Sequence, residues 1–381
     1  MPSATASIVP PDPAERIMPR RGAMRVPLLA TAAIALLAGV CAGFGRLGLN
    51  IPHGSALAEM HGPLLLCGLF GTMVGLERAV ALDRGWAYVA PSLAALGTLS
   101  LIAGTPVMVS GGLYALAAAV LVGGSLLITT LQPALFTGTL LFGALTWLAG
   151  NLLWAMGSPI VDVVGWWLAF LILTIASERL ELSRLRTPKR GSEALFLFAV
   201  GVLLAGAQNG IMSRNGSTLF GTALLVTMGW LLRHDIAWPN LRRTGQTRFM
   251  AVCMLLGYAW LGTAGVALIG LPPGTSAFGY DIAVHAILTG FVLSMVFGHA
   301  LIILPAIVHL RVRYSGILYA PLMLLHGAVA LRVAAGLADW GVGRVASGAL
   351  TAVALACFAL ALAVSSMRSR PPAKEVVGST R

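Results

Sequence analysis

Residues 59–80 read EMHGPLLLCGLFGTMVGLERAV, an apolar run with a histidine near its start and a Glu-Arg pair near its end. No charged residue lies between His61 and Glu77, so the run is suited to a helix that crosses a bilayer. The same character extends outward: of 381 residues, 58% are hydrophobic and 10% are charged, and the mean hydropathy is +0.88. Such a chain has too little polar surface for a soluble globule. The sequence predicts an all-α polytopic membrane protein.

Stretches of roughly 18 or more apolar residues can each span a bilayer core as a helix. Twelve such stretches are present, and they predict a bundle of about twelve transmembrane helices over residues 26–366. The predicted spans are 26–48, 61–82, 86–104, 107–130, 134–156, 160–181, 194–213, 215–233, 249–270, 279–307, 315–337 and 345–366. The polar ends, residues 1–25 and 367–381, are predicted to be flexible cytoplasmic tails.

Basic residues alternate between the loops of this twelve-helix plan. With both termini in the cytoplasm, 21 of the 25 Lys and Arg residues lie on the cytoplasmic side. The four left outside are Arg46, Arg214, Arg332 and Arg344. This asymmetry predicts that both termini are cytoplasmic, in the inner membrane of a bacterial-type cell. The net charge of +12 therefore indicates topology and contact with the lipid bilayer, not nucleic acid.

Histidines inside the predicted helices are the candidate ligands for a metal or cofactor. Neutral imidazole is a common ligand of haem iron and copper, and an intramembrane ionisable residue is a functional candidate by default. His61 and His285 fall at similar depth in the predicted outer half, which makes them the candidate metal pair. The candidate cofactor-binding residues are His61, His285, His299 and His326. The alternative is that each histidine only hydrogen-bonds a neighbouring helix.

Carboxylates near these histidines are candidates to orient them. Asp281 lies one helical turn before His285 and could hold the second ring nitrogen, and Glu59 could serve His61 in the same way. His285 and His299 are 14 residues apart, which is about 21 Å along a helix, so they cannot bind one metal. Two stacked centres, or one centre and a proton-active histidine, both remain open.

The Glu-Arg pair at the end of the quoted stretch has two interpretations. Glu77 and Arg78 are predicted to lie at the inner membrane edge, at the level of Glu178 in the sixth span. Opposite charges at one depth can pair between helices, which lowers the cost of keeping them there. The other interpretation is proton uptake from the cytoplasm.

Three segments resemble the NnrS family of multi-pass membrane proteins. They are "EMHGPLLLCGLFGTMVG" (59–75), "LLGYAWLGTAGVALIG" (255–270) and "VHAILTGFVLSMVFGHA" (284–300). His61 is the counterpart of one of the two histidines in the family's helix 2 motif, so the chain resembles a divergent member. The resemblance implies a haem-binding and copper-binding membrane protein that is linked to nitric oxide or respiratory redox stress. Nitric oxide or another small gas is then the implied partner.

Two other functions fit the sequence. A secondary transporter without a cofactor could use Arg332, Glu77 and Asn151 to line a substrate path. A catalytic subunit like those of haem-copper oxidases or nitric oxide reductases would also have twelve helices and a histidine on helix 2. That chemistry needs more histidines, including adjacent ones, and no two histidines here are adjacent or one residue apart. Whether the chain is an enzyme stays open.

Overall fold

The computed structural model describes residues 13–182, 190–308 and 312–367 and is all-α, as predicted. Twelve long helices follow one another in this part of the chain. They are α1 (Pro13–Arg46), α2 (Gly54–Leu82), α3 (Gly85–Ile102), α4 (Val107–Leu131), α5 (Leu135–Ala155), α6 (Ile160–Leu182), α7 (Arg190–Gln208), α8 (Arg214–His234), α9 (Gly245–Gly270), α10 (Gly279–Ile307), α11 (Gly316–Leu337) and α12 (Gly341–Met367).

Eleven of these helices, within the described ranges, are long and apolar enough to cross a membrane, which confirms a multi-pass protein. The remaining helix, α8, has 21 residues but carries charged ends and several hydroxyl side chains. Those hydroxyls bond within the helix: Thr218 donates to the carbonyl of Arg214, and Thr222 to that of Thr218. The prediction of about twelve spans is met by eleven helices that satisfy both criteria and a twelfth that is more polar.

The boundary between α7 and α8 differs from the sequence prediction. The seventh span was expected to run to residue 213, but α7 ends at Gln208. Gly210 takes a left-handed conformation (φ +74°) that turns the chain. The Ser213 side chain then accepts a hydrogen bond from the backbone N–H of Gly216 and caps α8. The turn therefore lies five residues earlier than expected.

Helices that are neighbours in sequence pack side by side, and α6 is the most enclosed of them. Close packing depends on small residues, because lipid chains compete for apolar contacts inside a membrane. Where α8 meets α9, a Cβ on Gly221 would lie 2.7 Å from the carbonyl oxygen of Gly265. In contrast, α12 packs mainly on α11 and is largely exposed, which leaves a cleft between it and α1.

The two ends of the bundle differ in their polar residues. One end, here called the cavity end, carries the loops 47–53, 156–159, 271–278 and 338–340. At the opposite end, Arg25 donates to the hydroxyl of Tyr88 (3.1 Å) and to the carbonyl of Ile307 (3.2 Å). These contacts join the start of the apolar part of α1, the start of α3 and the end of α10 at one level, as a regular alternation of spans requires.

The terminal tails stay predictions. Residues 1–12 and 368–381 lie outside the described residues, as do the basic segment 183–189 and His309. Helix α1 begins at Pro13, and its part that is apolar enough for a span begins at Met24.

The orientation of the bundle gives a first testable prediction. We expect a reporter that is active only outside the cytoplasm to stay silent when fused after Arg381, because the predicted topology places 21 of the 25 Lys and Arg residues on the cytoplasmic side. The same reporter fused after Gly48, in the loop between α1 and α2, should be active. The reverse pattern would place the cavity end in the cytoplasm.

Candidate functional site

A cavity of about 870 Å³ lies at the cavity end between α1, α2, α6, α10, α11 and α12. Its volume is in the range of small-molecule and cofactor sites, roughly 300–1,000 Å³. Most lining residues are apolar. The charged and imidazole side chains that line it are Arg46, Glu59, His61, Asp281, His285, Arg332 and Arg344.

The cavity brings together the two histidines that the sequence singled out as a pair. The ring centroids of His61 and His285 are 6.5 Å apart, and the ring planes differ by 19°. His61 Nδ1 lies 2.7 Å from the carbonyl oxygen of Gly39, and His285 Nδ1 lies 2.8 Å from that of Asp281. A carbonyl only accepts, so Nδ1 carries the hydrogen in each neutral ring. Each Nε2 keeps its lone pair, and no described residue bonds to it.

Each histidine is followed within three residues by an irregular stretch of helix. In α2 the stretch Leu64–Phe70 is a π-helix, and in α10 the stretch Ala286–Val292 is one as well. π-Helical turns are rare and occur often at functional sites, since the widened turn redirects the side chains around it. The same feature beside both rings indicates that α2 and α10 are shaped for one common site.

Helix α1 positions the ring of His61 through two glycines one turn apart. Gly39 supplies the carbonyl that accepts from Nδ1. A Cβ on Gly43 would lie 2.8 Å from both Cε1 and Nδ1 of His61. The absence of side chains lets the backbone of α1 approach the ring closely.

This close approach predicts a specific effect for Gly43→Ala. The added methyl should displace the ring of His61 and weaken its bond to Gly39, at a cost of about 1–3 kcal/mol in the free energy of unfolding. Thermal unfolding of the detergent-purified variant measures this. Gly112→Ala in α4 is the matched control, because a Cβ there meets nothing within 4 Å. Equal unfolding temperatures for the two variants would contradict the tight fit.

The carboxylate of Asp281 lies closer to Arg332 than to His285. Its carboxylate accepts from Arg332 at both oxygens, at 2.7 and 2.6 Å, and Arg344 Nη2 lies 3.7 Å from Oδ1. Oδ1 is 3.4 Å from His285 Nδ1, whereas the backbone carbonyl of Asp281 is 2.8 Å from it. We expected the carboxylate of Asp281 to orient the ring of His285. The ring nitrogen Nδ1 instead lies closer to the backbone carbonyl of Asp281. Glu59 is exposed at the cavity.

Arg332 and Arg344 were not recognised as partners of Asp281 from the sequence. The available signal was an arginine inside an apolar span, since such a residue needs a counter-charge. Arg344 also lies over the ring of Phe278, at 4.1 Å, and its buried Nε has no hydrogen-bond partner. Arg332 neutralises Asp281, and Arg46 and Arg344 outnumber Glu59, so the cavity keeps an excess of positive charge.

The other two candidate histidines lie outside the cavity lining and have partners at both ring nitrogens. His326 Nδ1 accepts from Trp260 Nε1 at 2.8 Å, and its Nε2 lies 3.3 Å from Ser294 Oγ. His299 Nδ1 lies 2.6 Å from the carbonyl of Met295, and its Nε2 contacts Arg179 Nη2. Neither ring has a nitrogen free for a metal in this arrangement.

At the opposite end, the charged residues of the quoted stretch lie beside α6. Arg78 Nη2 donates to Glu178 at 2.6 Å and lies 3.4 Å from Glu77. The link between α2 and α6 thus depends chiefly on Glu178, and Glu77 is the more exposed carboxylate.

The unequal distances predict unequal effects for two matched substitutions. Glu178→Gln should lower the yield of folded protein in membranes several-fold, because a largely buried arginine loses its close partner. Glu77→Gln should change that yield by less than about half, since the longer contact contributes little. Size-exclusion chromatography of both variants in detergent measures the yield. A larger loss for Glu77→Gln would reverse the assignment.

The fold and the cavity define a class of protein: a polytopic α-helical membrane protein with a histidine-lined cavity in one half of the bundle. The chain belongs to the family described as Domain of unknown function (DUF8744), whose model matches residues 25–367. No curated protein matches the chain. No solved structure matches it either.

Proposed function

We propose that this chain is a haem-binding integral membrane protein in which His61 and His285 would hold the haem iron. The observation that carries the proposal is the pair of imidazoles 6.5 Å apart, each with Nδ1 on a carbonyl and Nε2 free. Metal-bound histidines characteristically donate their second ring N–H to a carbonyl or carboxylate. The pair therefore has the donor set and the tautomer of metal ligands.

The separation of the rings supports ligation of a single metal. An imidazole nitrogen binds a metal at about 2.0–2.1 Å, so two rings in line through one metal have centroids roughly 6–6.5 Å apart. The observed centroid distance of 6.5 Å has the same length, and the proposal adds that the two Nε2 atoms face one metal. Because the rings come from α2 and α10, a bound metal would also link two helices that are far apart in sequence.

The number of ligands favours haem over a bare metal ion. Structural zinc and most copper sites use three or four protein ligands. The described residues hold no group of three or more His, Cys, Asp or Glu side chains suited to a metal. A porphyrin supplies four nitrogens itself, so two histidines complete the iron. Copper, which the resemblance also implies, would have only these two nitrogens.

The rest of the cavity offers both surfaces that a haem needs. Arg46 and Arg344 would hold the propionate groups, and the unpartnered Nε of Arg344 would gain an acceptor. Leucines of α1, α2, α10 and α12 would contact the apolar part of the macrocycle. Four that line the cavity are Leu36, Leu65, Leu293 and Leu355.

Bound by His61 and His285, the haem would supply one-electron redox chemistry. His61 and His285 would set its potential through their ring hydrogen bonds, since a stronger bond at Nδ1 makes Nε2 a better donor. With two protein ligands on the iron, the site would favour electron transfer over gas binding. A link to nitric oxide or respiratory redox stress, as the NnrS resemblance implies, would pass through this electron transfer.

The alternative functions have less support. Arg332 lines the cavity, but Glu77 and Asn151 do not, so the three residues of the transporter hypothesis do not share one path there. For an oxidase-like subunit, His61 and His285 are the only histidines among the residues that line the described cavity. One haem would use both histidines, so the lining of this cavity would hold none for a second metal centre.

Haem analysis of the detergent-purified protein tests the proposal. We expect about one b-type haem per chain by the pyridine haemochrome assay, together with equimolar iron. Protein expressed without haem supply should bind added haemin with the same stoichiometry. A folded, colourless protein that takes up no haemin would overturn the proposal.

A further inference from the structure

One wall of the cavity is formed by the two least buried spans of the bundle. Among the eleven candidate spans in the described residues, α12 has the smallest buried share and α1 the next smallest. Both helices line the cavity. Because α12 packs mainly on α11 and touches α1 only over a short stretch, the cleft between α12 and α1 lies directly beside the cavity.

The short contact between α1 and α12 lies near the cavity end. A Cβ on Gly348 of α12 would lie 2.9 Å from Cδ1 of Leu47 and 3.7 Å from Cε1 of Phe44, both on α1. One turn deeper are Ala352, on the Gly348 side of α12, and Val40, on the Phe44 side of α1. Both residues line the cavity and both are partly exposed. They therefore mark the edges of the cleft where it passes into the cavity.

The charged and apolar parts of the cavity are separated by depth. The charged and imidazole side chains of the lining all lie within about two turns of a helix end at the cavity end. The apolar lining continues deeper, to Leu36 on α1 and Leu355 on α12. Leu36 is ten residues from Arg46 and Leu355 is eleven from Arg344, which is about 15–16 Å along a helix and about half of a 30 Å bilayer core. The cavity therefore has the depth of one leaflet.

The two arginines that give the cavity its excess positive charge lie on the two helices that border the cleft. Arg46 ends α1, and Arg344 lies one turn before Gly348 on α12. The buried Nε of Arg344 has no hydrogen-bond partner, so a carboxylate arriving beside it would supply an acceptor. The cleft is thus cationic near the cavity end and apolar in its deeper part.

We propose that the cavity takes its ligand sideways from the bilayer, through the cleft between Ala352 and Val40. The identity of this ligand as haem rests on the proposed function, whereas the route rests on the cleft. An amphiphile in a bilayer keeps its charged groups at the headgroup level and its apolar part among the acyl chains. Haem has this form, because its two carboxylates lie at one edge of an apolar macrocycle.

The cavity offers each part of such a ligand the surroundings that it has in the leaflet. Arg46 and Arg344 receive the carboxylates at the level of the headgroups. The apolar lining between Leu36 and Leu355 receives the macrocycle at the level of the acyl chains. The apolar surface of the ligand therefore moves from lipid to protein without crossing water, which avoids the cost of hydrating it.

Uptake of haemin by the haem-free, full-length protein in phosphatidylcholine liposomes tests the route. Added haemin dissolves in the bilayer, and the shift of its Soret band reports binding to the protein. We expect Ala352→Trp to slow this uptake at least tenfold, because the indole would fill the gap toward Val40. Val353→Trp is the matched control and should stay within twofold of the wild type, since Val353 is 49% exposed and does not line the cavity.

Val40→Trp closes the cleft from the other helix and should slow uptake by a similar factor. Its matched control is Leu37→Trp, because the side chain of Leu37 is 66% exposed and does not line the cavity. Size-exclusion chromatography selects the variants that fold. The two pairs lie on different helices, so the test stays decisive if one of the variants does not fold.

A second readout needs no haem. Leu288 lines the cavity one turn beyond His285, and Leu288→Cys places a thiol there in protein whose partly exposed Cys41 and Cys357 are replaced by alanine. An apolar pyrene maleimide reaches this thiol from the bilayer, and a sulfonated maleimide reaches it from the water at the cavity end. We expect Ala352→Trp to slow labelling by the pyrene reagent at least tenfold and labelling by the sulfonated reagent less than twofold.

The two readouts separate the route from the proposed function. If the wild type took up no haemin while Ala352→Trp still slowed only the pyrene reagent, the lateral route would stand and the haem would not. Wild-type rates of haemin uptake and pyrene labelling in both Ala352→Trp and Val40→Trp would overturn the route. Equal slowing of the two maleimides would overturn it as well, because the indole would then fill the cavity instead of closing the cleft.

Discussion

His61→Ala and His285→Ala, purified separately, should each lose most of the haem that we propose the wild type binds. Any haem that remains should show a shifted reduced Soret band. A metal bond is not replaced without a spectral change, whereas a lost helix-to-helix hydrogen bond in a membrane costs only about 1 kcal/mol and leaves a distant chromophore intact. Pyridine haemochrome content and reduced spectra, compared with the wild type, measure the effect.

His326→Gln is the control for this experiment. His326 is buried in α11, but both its ring nitrogens have partners, so its replacement should leave the haem content unchanged. If His61→Ala and His285→Ala both kept full haem and an unshifted band, these two histidines would not be its ligands. His299 and His326 would then be the next pair to replace.

Asp281→Asn should destabilise the protein by about 3 kcal/mol or more, because removing one partner of a buried ion pair leaves the other charge uncompensated. Here the charge left behind is that of Arg332, which is 8% exposed and now bonds both carboxylate oxygens. Thermal or denaturant unfolding in detergent measures the loss. The carbonyl that bonds His285 belongs to the backbone and stays in place, so folded molecules should keep the wild-type haem spectrum.

The double variant Asp281→Asn/Arg332→Gln separates the ion pair from other effects. With both charges removed, much of the lost stability should return. A double variant as unstable as the sum of the two single variants would contradict a direct pairing. A changed haem spectrum in folded Asp281→Asn would instead show that the carboxylate itself orients His285.

The fold could be predicted from the sequence because each span is a separate apolar run. The alternation of basic and non-basic loops then indicates which helix ends share a side, and the similar depth of His61 and His285 follows from that alternation. Depth along a helix is a one-dimensional quantity that can be counted in residues. It therefore placed α2 and α10 residues at one level without knowledge of how the helices pack.

Other features depend on contacts between helices and could not be counted in this way. The π-helical turns after His61 and His285 leave no periodic signal in an apolar run. In the sequence, Gly39 and Gly43 cannot be distinguished from other glycines. Their role is visible only in the packing of α1 against the imidazole of His61. Asp281 could be placed near His285 by spacing, but its closer bond is to Arg332, which lies 51 residues away in sequence on the next helix.

Electron paramagnetic resonance of the oxidised protein, with histidine nitrogens labelled with ¹⁵N, tests most directly whether His61 and His285 hold one iron. The account predicts a low-spin ferric signal with hyperfine coupling to two histidine nitrogens along the axis. In His61→Ala and in His285→Ala that signal should be lost from whatever haem remains. A wild-type spectrum that is high-spin, or coupled to one histidine nitrogen only, would contradict the shared site.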